Sequence, residues 1–181
     1  WTVGNPGRDP FGQPTRPDLA PAEIVELLAE AAGVLGVNFH DNDLLPIDAT
    51  PAERQAILKA FKKALADTGL KVPMATTNLF SDPAFKDGAF TADDPRVRAF
   101  ALRKTMDGID LGVELGARVY VFWGGREGYM SLLNTDMKRE LDHMAQFLHL
   151  AKDYARSQGF EGTLLIEPKP MEPSKHQYDF D

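Results

Sequence analysis

One punctuation recurs four times along this chain: an amphipathic helix, a glycine, then a short apolar run. Apolar residues at helical spacing mark the helices: Ile24, Leu27, Leu28 and Ala31; Ile57, Phe61, Ala64 and Leu65; Leu102, Met106, Ile109 and Val113; Met137, Leu141, Met144, Leu148 and Ala151. Gly36, Gly69, Gly116 and Gly159 close them. Thr50-Pro51-Ala52-Glu53 reads as a capping box with Pro at the first helical position, and Asp94-Pro95 repeats the cap-then-Pro pattern. After each glycine come Val37–Phe39, Val72–Ala75, Arg118–Phe122 and Thr163–Ile166, near-continuous apolar runs that suit parallel strands buried on both faces. Trp1-Thr2-Val3 is expected to be the tail of one more strand ahead of them. Alternating strands and helices predict an α/β fold with a parallel sheet.

The repeat unit runs to roughly 40 residues, so an eight-unit barrel at this rhythm needs on the order of 330. The 181 residues supply little more than half. The chain begins at Trp1 without Met and stops at Asp181 soon after a motif, so both ends are expected to be cut. No self-similarity accompanies the rhythm and no linker interrupts it. Residues 1–181 are therefore expected to form one partial domain, with no separate second domain.

Composition removes several function classes. Against 27 Asp and Glu stand 20 Lys and Arg, a net charge of −7, which argues against a nucleic-acid binder. The absence of cysteine excludes disulfides and thiolate metal sites. No apolar run approaches a membrane span and no signal peptide precedes the first motif, so no membrane association and a cytoplasmic location are expected. The phosphate-binding signatures of dinucleotide and nucleoside triphosphate sites are missing, and no serine sits in a nucleophile elbow.

The polar clusters all follow the expected strands: Arg8–Phe11, His40-Asp41-Asn42-Asp43, Thr76–Phe80, Trp123-Gly124-Gly125-Arg126-Glu127 and Glu167-Pro168-Lys169-Pro170. In α/β folds that end of the sheet carries the chemistry, because successive βα loops converge there. His40 with Asp43 suits a general acid/base oriented by a carboxylate; equally, His40 is a strand-end histidine with Asp41 and Asp43 as loop or cap residues. Glu167 and Lys169, two apart on an extended segment, point to one side; they suit a divalent cation and a substrate oxygen, or a surface ion pair. Phe80 and Trp123 suit either core or pocket wall. His143 and His149, six apart on the fourth helix, read as surface residues, and the role of His176 stays open.

Taken in order, Trp1–Gly4, Gly7-Arg8-Asp9-Pro10-Phe11-Gly12, Phe39–Asp43, Met74–Phe80, Trp123–Glu127 and Ile166–Pro170 resemble the xylose isomerase (glucose isomerase) family. Asn5-Pro6 and Asn42 depart from its commoner residues. The resemblance implies a (β/α)8 TIM barrel, of which this chain carries the first four βα units and the fifth strand. It implies aldose-ketose isomerisation of xylose or glucose, aided by two divalent cations (Mg²⁺, Mn²⁺ or Co²⁺), in a homotetramer. By the resemblance, His40 assists ring opening with Asp43 holding its tautomer, and Lys169 binds the carbonyl oxygen. Glu167 ligates a metal; Trp1, Thr76, Phe80 and Trp123 line the sugar site, and Phe11 enters a neighbouring subunit's site. The family's other metal ligands are not in this chain, so the polypeptide alone is expected to be inactive. Another divalent-metal sugar epimerase or isomerase of the same barrel superfamily, or a non-catalytic half-barrel scaffold, are the alternatives.

Overall fold

The computed structural model describes residues 3–7, 13–124, 127 and 136–167. Its helices start where the sequence supplies donors' partners. α1 (Pro21–Ala29) opens with proline, and the Glu23 carboxylate accepts from the Ala20 N–H at 2.6 Å. α3 (Pro51–Thr68) has a complete capping box, with the Thr50 hydroxyl accepting from Glu53 N and Glu53 accepting from Thr50 N at 2.8 Å. α4 (Pro95–Glu114) is capped by Asp94, which accepts from Arg96 N at 2.8 Å. α5 (Met137–Ser157) is capped by Asp136, which accepts from Arg139 N at 3.0 Å. Gly69 ends α3 at φ +77°, a conformation that an L side chain resists.

Between these helices run β1 (Phe39–His40), β2 (Met74–Thr76), β3 (Val119–Phe122) and β4 (Thr163–Ile166). They form one parallel sheet in the order β1-β2-β3-β4. A parallel sheet in sequence order, each strand reached through a helix, is the arrangement of a partial barrel. The core lies between sheet and helices: Phe39 meets Phe61 edge-on, and Phe147 of α5 stacks on Phe90 and meets Phe122. α4 approaches closely because it presents Gly108 and Gly112. A Cβ on Gly108 would lie 2.3 Å from the Thr77 hydroxyl and 2.9 Å from that of Tyr120.

Several expectations are corrected. The strand expected at Trp1–Val3 falls outside the described residues apart from Val3, which lies in a turn. Gly36 does not cap α1, which ends at Ala29. It makes an isolated bridge to Lys71, whose carbonyl lies where a Cβ would stand. Val37 and Asn38 precede β1 rather than forming it. Of the loop and cap alternatives for the His-Asp-Asn-Asp cluster, the loop fails and the cap holds: Asp41–Leu44 form a single helical turn, α2, and Asp43 accepts from His40 N at its start. β4 is not buried on both faces; Leu165 and Ile166 are 45% and 56% exposed, because among the described residues no further strand pairs with it. His143 is half-buried, its Nδ1 3.5 Å from the Thr91 carbonyl.

Candidate active site at the strand ends

The register aligns His40 with Thr76, Thr76 with Val121 and Val121 with Leu165, so the residues just beyond these share one end of the sheet. There the rings of His40, Phe80 and Trp123 form a continuous row. His40 meets Phe80 edge-on at 5.8 Å, and Phe80 meets Trp123 at 4.7 Å and 56°. All three are half-buried, so the row is a wall with one open side. Phe80 and Trp123 are thus only partly covered, unlike the buried core around Phe122.

His40 is held from its own helical turn. The Asp43 carboxylate accepts from the His40 backbone N–H at 3.0 Å and faces its ring Nδ1 at 3.1 Å. An ionised carboxylate can only accept, so Nδ1 carries the proton that faces Asp43, which orients the ring. Burial pushes the Asp43 carboxyl up, but the His40 ring and backbone bonds outweigh it and hold the carboxyl below its usual value. Thr76, paired with His40 in the register, is buried, its hydroxyl donating to the Val121 carbonyl at 2.7 Å. Its proton is therefore spent within the sheet, and its oxygen is what can still accept.

Glu167 follows β4 and extends the ladder, its N–H donating to the Phe122 carbonyl at 3.0 Å, with the side chain exposed. Trp1, Phe11 and Lys169 lie outside the described residues. Among the described residues no three His, Asp or Glu side chains converge to hold a metal ion. One carboxylate does not fill the octahedral shell that Mg²⁺ demands, so the described residues do not by themselves fit a two-cation centre.

Two anchors of this end went unseen in the sequence. Asp41 pairs with Lys104, 63 positions away on α4. Glu127 is buried, accepting from Ala89 N at 2.8 Å, Phe90 N at 3.1 Å and Thr91 N at 3.0 Å, and from the Thr91 hydroxyl. Burial pushes its carboxyl up against those bonds. It ties the turn after Trp123 to the segment before α4. The only signal for either was a charged residue inside a polar cluster, which names no partner.

Comparison with known proteins places the fold in a family. The family model described as "Xylose isomerase-like TIM barrel" matches residues 25–181. The chain belongs to the xylose isomerase-like TIM-barrel family. Within this family it is 54% identical over 173 residues to the xylose isomerase of Thermus thermophilus, covering 96% of this chain and 44% of that protein. The chain thus spans less than half the length of that relative. Two solved structures share the fold: one from Rhodospirillum rubrum, provisionally described as a xylose isomerase, and the 3-keto-D-glucoside 4-epimerase of E. coli. The first is 19% identical with a TM-score of 0.65, covering 85% of this chain and 51% of that one. The second is 16% identical with a TM-score of 0.61, covering 89% and 54%. The sheet described above is accordingly a partial TIM barrel. Among the described residues no helix is long and apolar enough to cross a membrane.

Proposed function

We propose that these 181 residues are the sugar-gripping part of an aldose-ketose isomerase that interconverts D-xylose and D-xylulose, and D-glucose and D-fructose. The observation that carries this reading is the unbroken row His40–Phe80–Trp123, with Asp43 fixing the histidine tautomer. A sugar lying along the row stacks its C–H face on the two aromatic rings. His40 Nε2 then takes the proton of the anomeric hydroxyl and returns it to the ring oxygen as the C1–O bond of the ring breaks, so the histidine ends as it began. The aromatic wall excludes water from the carbon atoms between which hydrogen moves, so that hydrogen does not exchange with solvent. In this reading Trp1, Thr76 and Phe11 also bind the sugar, and Lys169 stabilises the developing negative charge on the carbonyl oxygen.

Divalent cations belong to this reading through Glu167 as one ligand, with the remaining ligands supplied from outside this chain. On its own the chain turns over no sugar. The rest of the proposal is a cytoplasmic homotetramer in which Phe11 reaches a neighbouring site, built from residues 1–181 as one partial catalytic domain. The 54% identical relative favours isomerase chemistry over the epimerase chemistry of the more distant structures. The test is turnover after completion: the chain joined to the remaining part of the Thermus thermophilus protein isomerises xylose with added Mg²⁺, whereas the chain alone does not. Turnover by the chain alone would overturn its incompleteness. A joined, folded and inactive polypeptide would favour a scaffold instead.

A further inference from the structure

The β1–β2 ladder ends where His40 pairs with Thr76, so something else must hold the residues from there to Phe80. That hold converges on Asp41. Its Oδ1 accepts the Asn78 backbone N–H at 2.7 Å, and its Oδ2 accepts the ammonium of Lys104 from α4. Asn78 in turn folds the chain back on itself, its Oδ1 accepting Phe80 N at 3.1 Å, Ser81 N at 2.9 Å and the Ser81 hydroxyl at 2.9 Å. One carboxylate, next in sequence to His40, is thus linked through Asn78 to Phe80 and braced from behind by a helix.

The pair is costly to hold. The Lys104 and Asp41 side chains are only 9% and 15% exposed, and an apolar pair of similar volume packs as well or better in such a place. What an ion pair adds that an apolar contact does not is a fixed direction and distance. We infer that Asp41 and Lys104 are positioning residues that set the gap between the His40 ring and the Phe80 ring. The inference rests on the isomerase reading above for its purpose, since that gap is where the sugar's ring oxygen and apolar face would be parted. Lys104 touches no substrate: it acts by fixing Asp41, which fixes Asn78 and the turn into Phe80.

The direct test is a proton NMR measurement of the 181-residue chain, without sugar or metal. Rings meeting edge-on at 5.8 Å give a His40–Phe80 cross-relaxation peak. Lys104→Met is expected to abolish that peak while the helical signals of the chain persist. Ala151→Gly, which weakens α5 away from the site, is expected to keep it. Should Lys104→Met fail to fold, the double variant Asp41→Asn/Lys104→Met carries no uncompensated buried charge, keeps an acceptor for Asn78 N–H, and is expected to fold without the peak. A folded variant lacking the ion pair that retains the peak overturns the inference. So does failure of both variants to fold, which would make the pair a requirement of the fold rather than a positioning device. Because the readout involves no turnover, it separates from the isomerase reading: the peak can survive in an enzyme, and vanish in a protein that is not one.

Discussion

Charge in this protein is placed by what surrounds it, and Glu140 shows the cost. It sits in the first turn of α5, 8% exposed. Burial and the nearby Asp93 push its carboxyl up to about 7, against the pull of Arg139. A carboxyl raised in the folded state binds its proton more tightly there than in the unfolded chain. Its contribution to stability is therefore full below pH 4.5 and is lost as pH rises toward about 7. Glu140→Gln is expected to stabilise the chain at pH 8, by on the order of 1 kcal/mol after allowance for solvent screening and the favourable helix N-terminus. Chemical denaturation of both proteins at pH 8 and at pH 4 measures it, with the difference vanishing at the lower pH. Asp43 has the opposite sign: its depressed carboxyl supports the fold above pH 3.8 and ceases to as pH falls through its lowered folded value.

At the scale of elements, α4 lies against the sheet through small residues. Gly108→Ala gains roughly 1 kcal/mol of helix propensity but sets a methyl against the Thr77 and Tyr120 hydroxyls, which are already bonded to each other. The clash wins, because neither hydroxyl can withdraw without losing its buried partner. A net loss of about 1–3 kcal/mol is expected, read as a lowered thermal midpoint. The elements also show what a sequence can disclose. The starts of α3 and α4 were legible because Thr50, Glu53 and Asp94 find their hydrogen-bond partners within three residues. The convergence of His40, Phe80 and Trp123 was legible because parallel strands bring their ends together. The brace of Lys104 on Asp41, and of Glu127 on residues 89–91, joins groups 36 or more positions apart, and a charge does not announce a distant partner. The role of α2 was hidden as well, since Asp41-Asn42-Asp43 reads equally as loop.

In the molecule as a whole, the sheet ends in an apolar edge at β4, since among the described residues no further strand pairs with it. Leu164, Ile166, Phe122 and Leu148 line a groove of about 380 Å³ between β4 and α5. An apolar run read as a doubly buried strand is here half uncovered, because burial depends on neighbours that the run itself does not specify. Exposed strand edges of this kind pair with other chains. The isolated chain is expected to associate as its concentration rises, and Ile166→Lys is expected to reduce that association with little effect on the thermal midpoint. Sedimentation velocity across a concentration series reads the difference.

The central proposal is that this chain carries sugar-gripping residues of an isomerase. Its most direct measurement is xylose turnover, with and without Mg²⁺, by the chain joined to the remaining part of its 54% identical Thermus thermophilus relative, beside the same polypeptide carrying His40→Asn. The account predicts metal-dependent xylulose formation by the joined protein and a loss of at least about a hundredfold in the variant, the usual weight of a positioned proton-transfer group. Equal rates in the two folded proteins would contradict it.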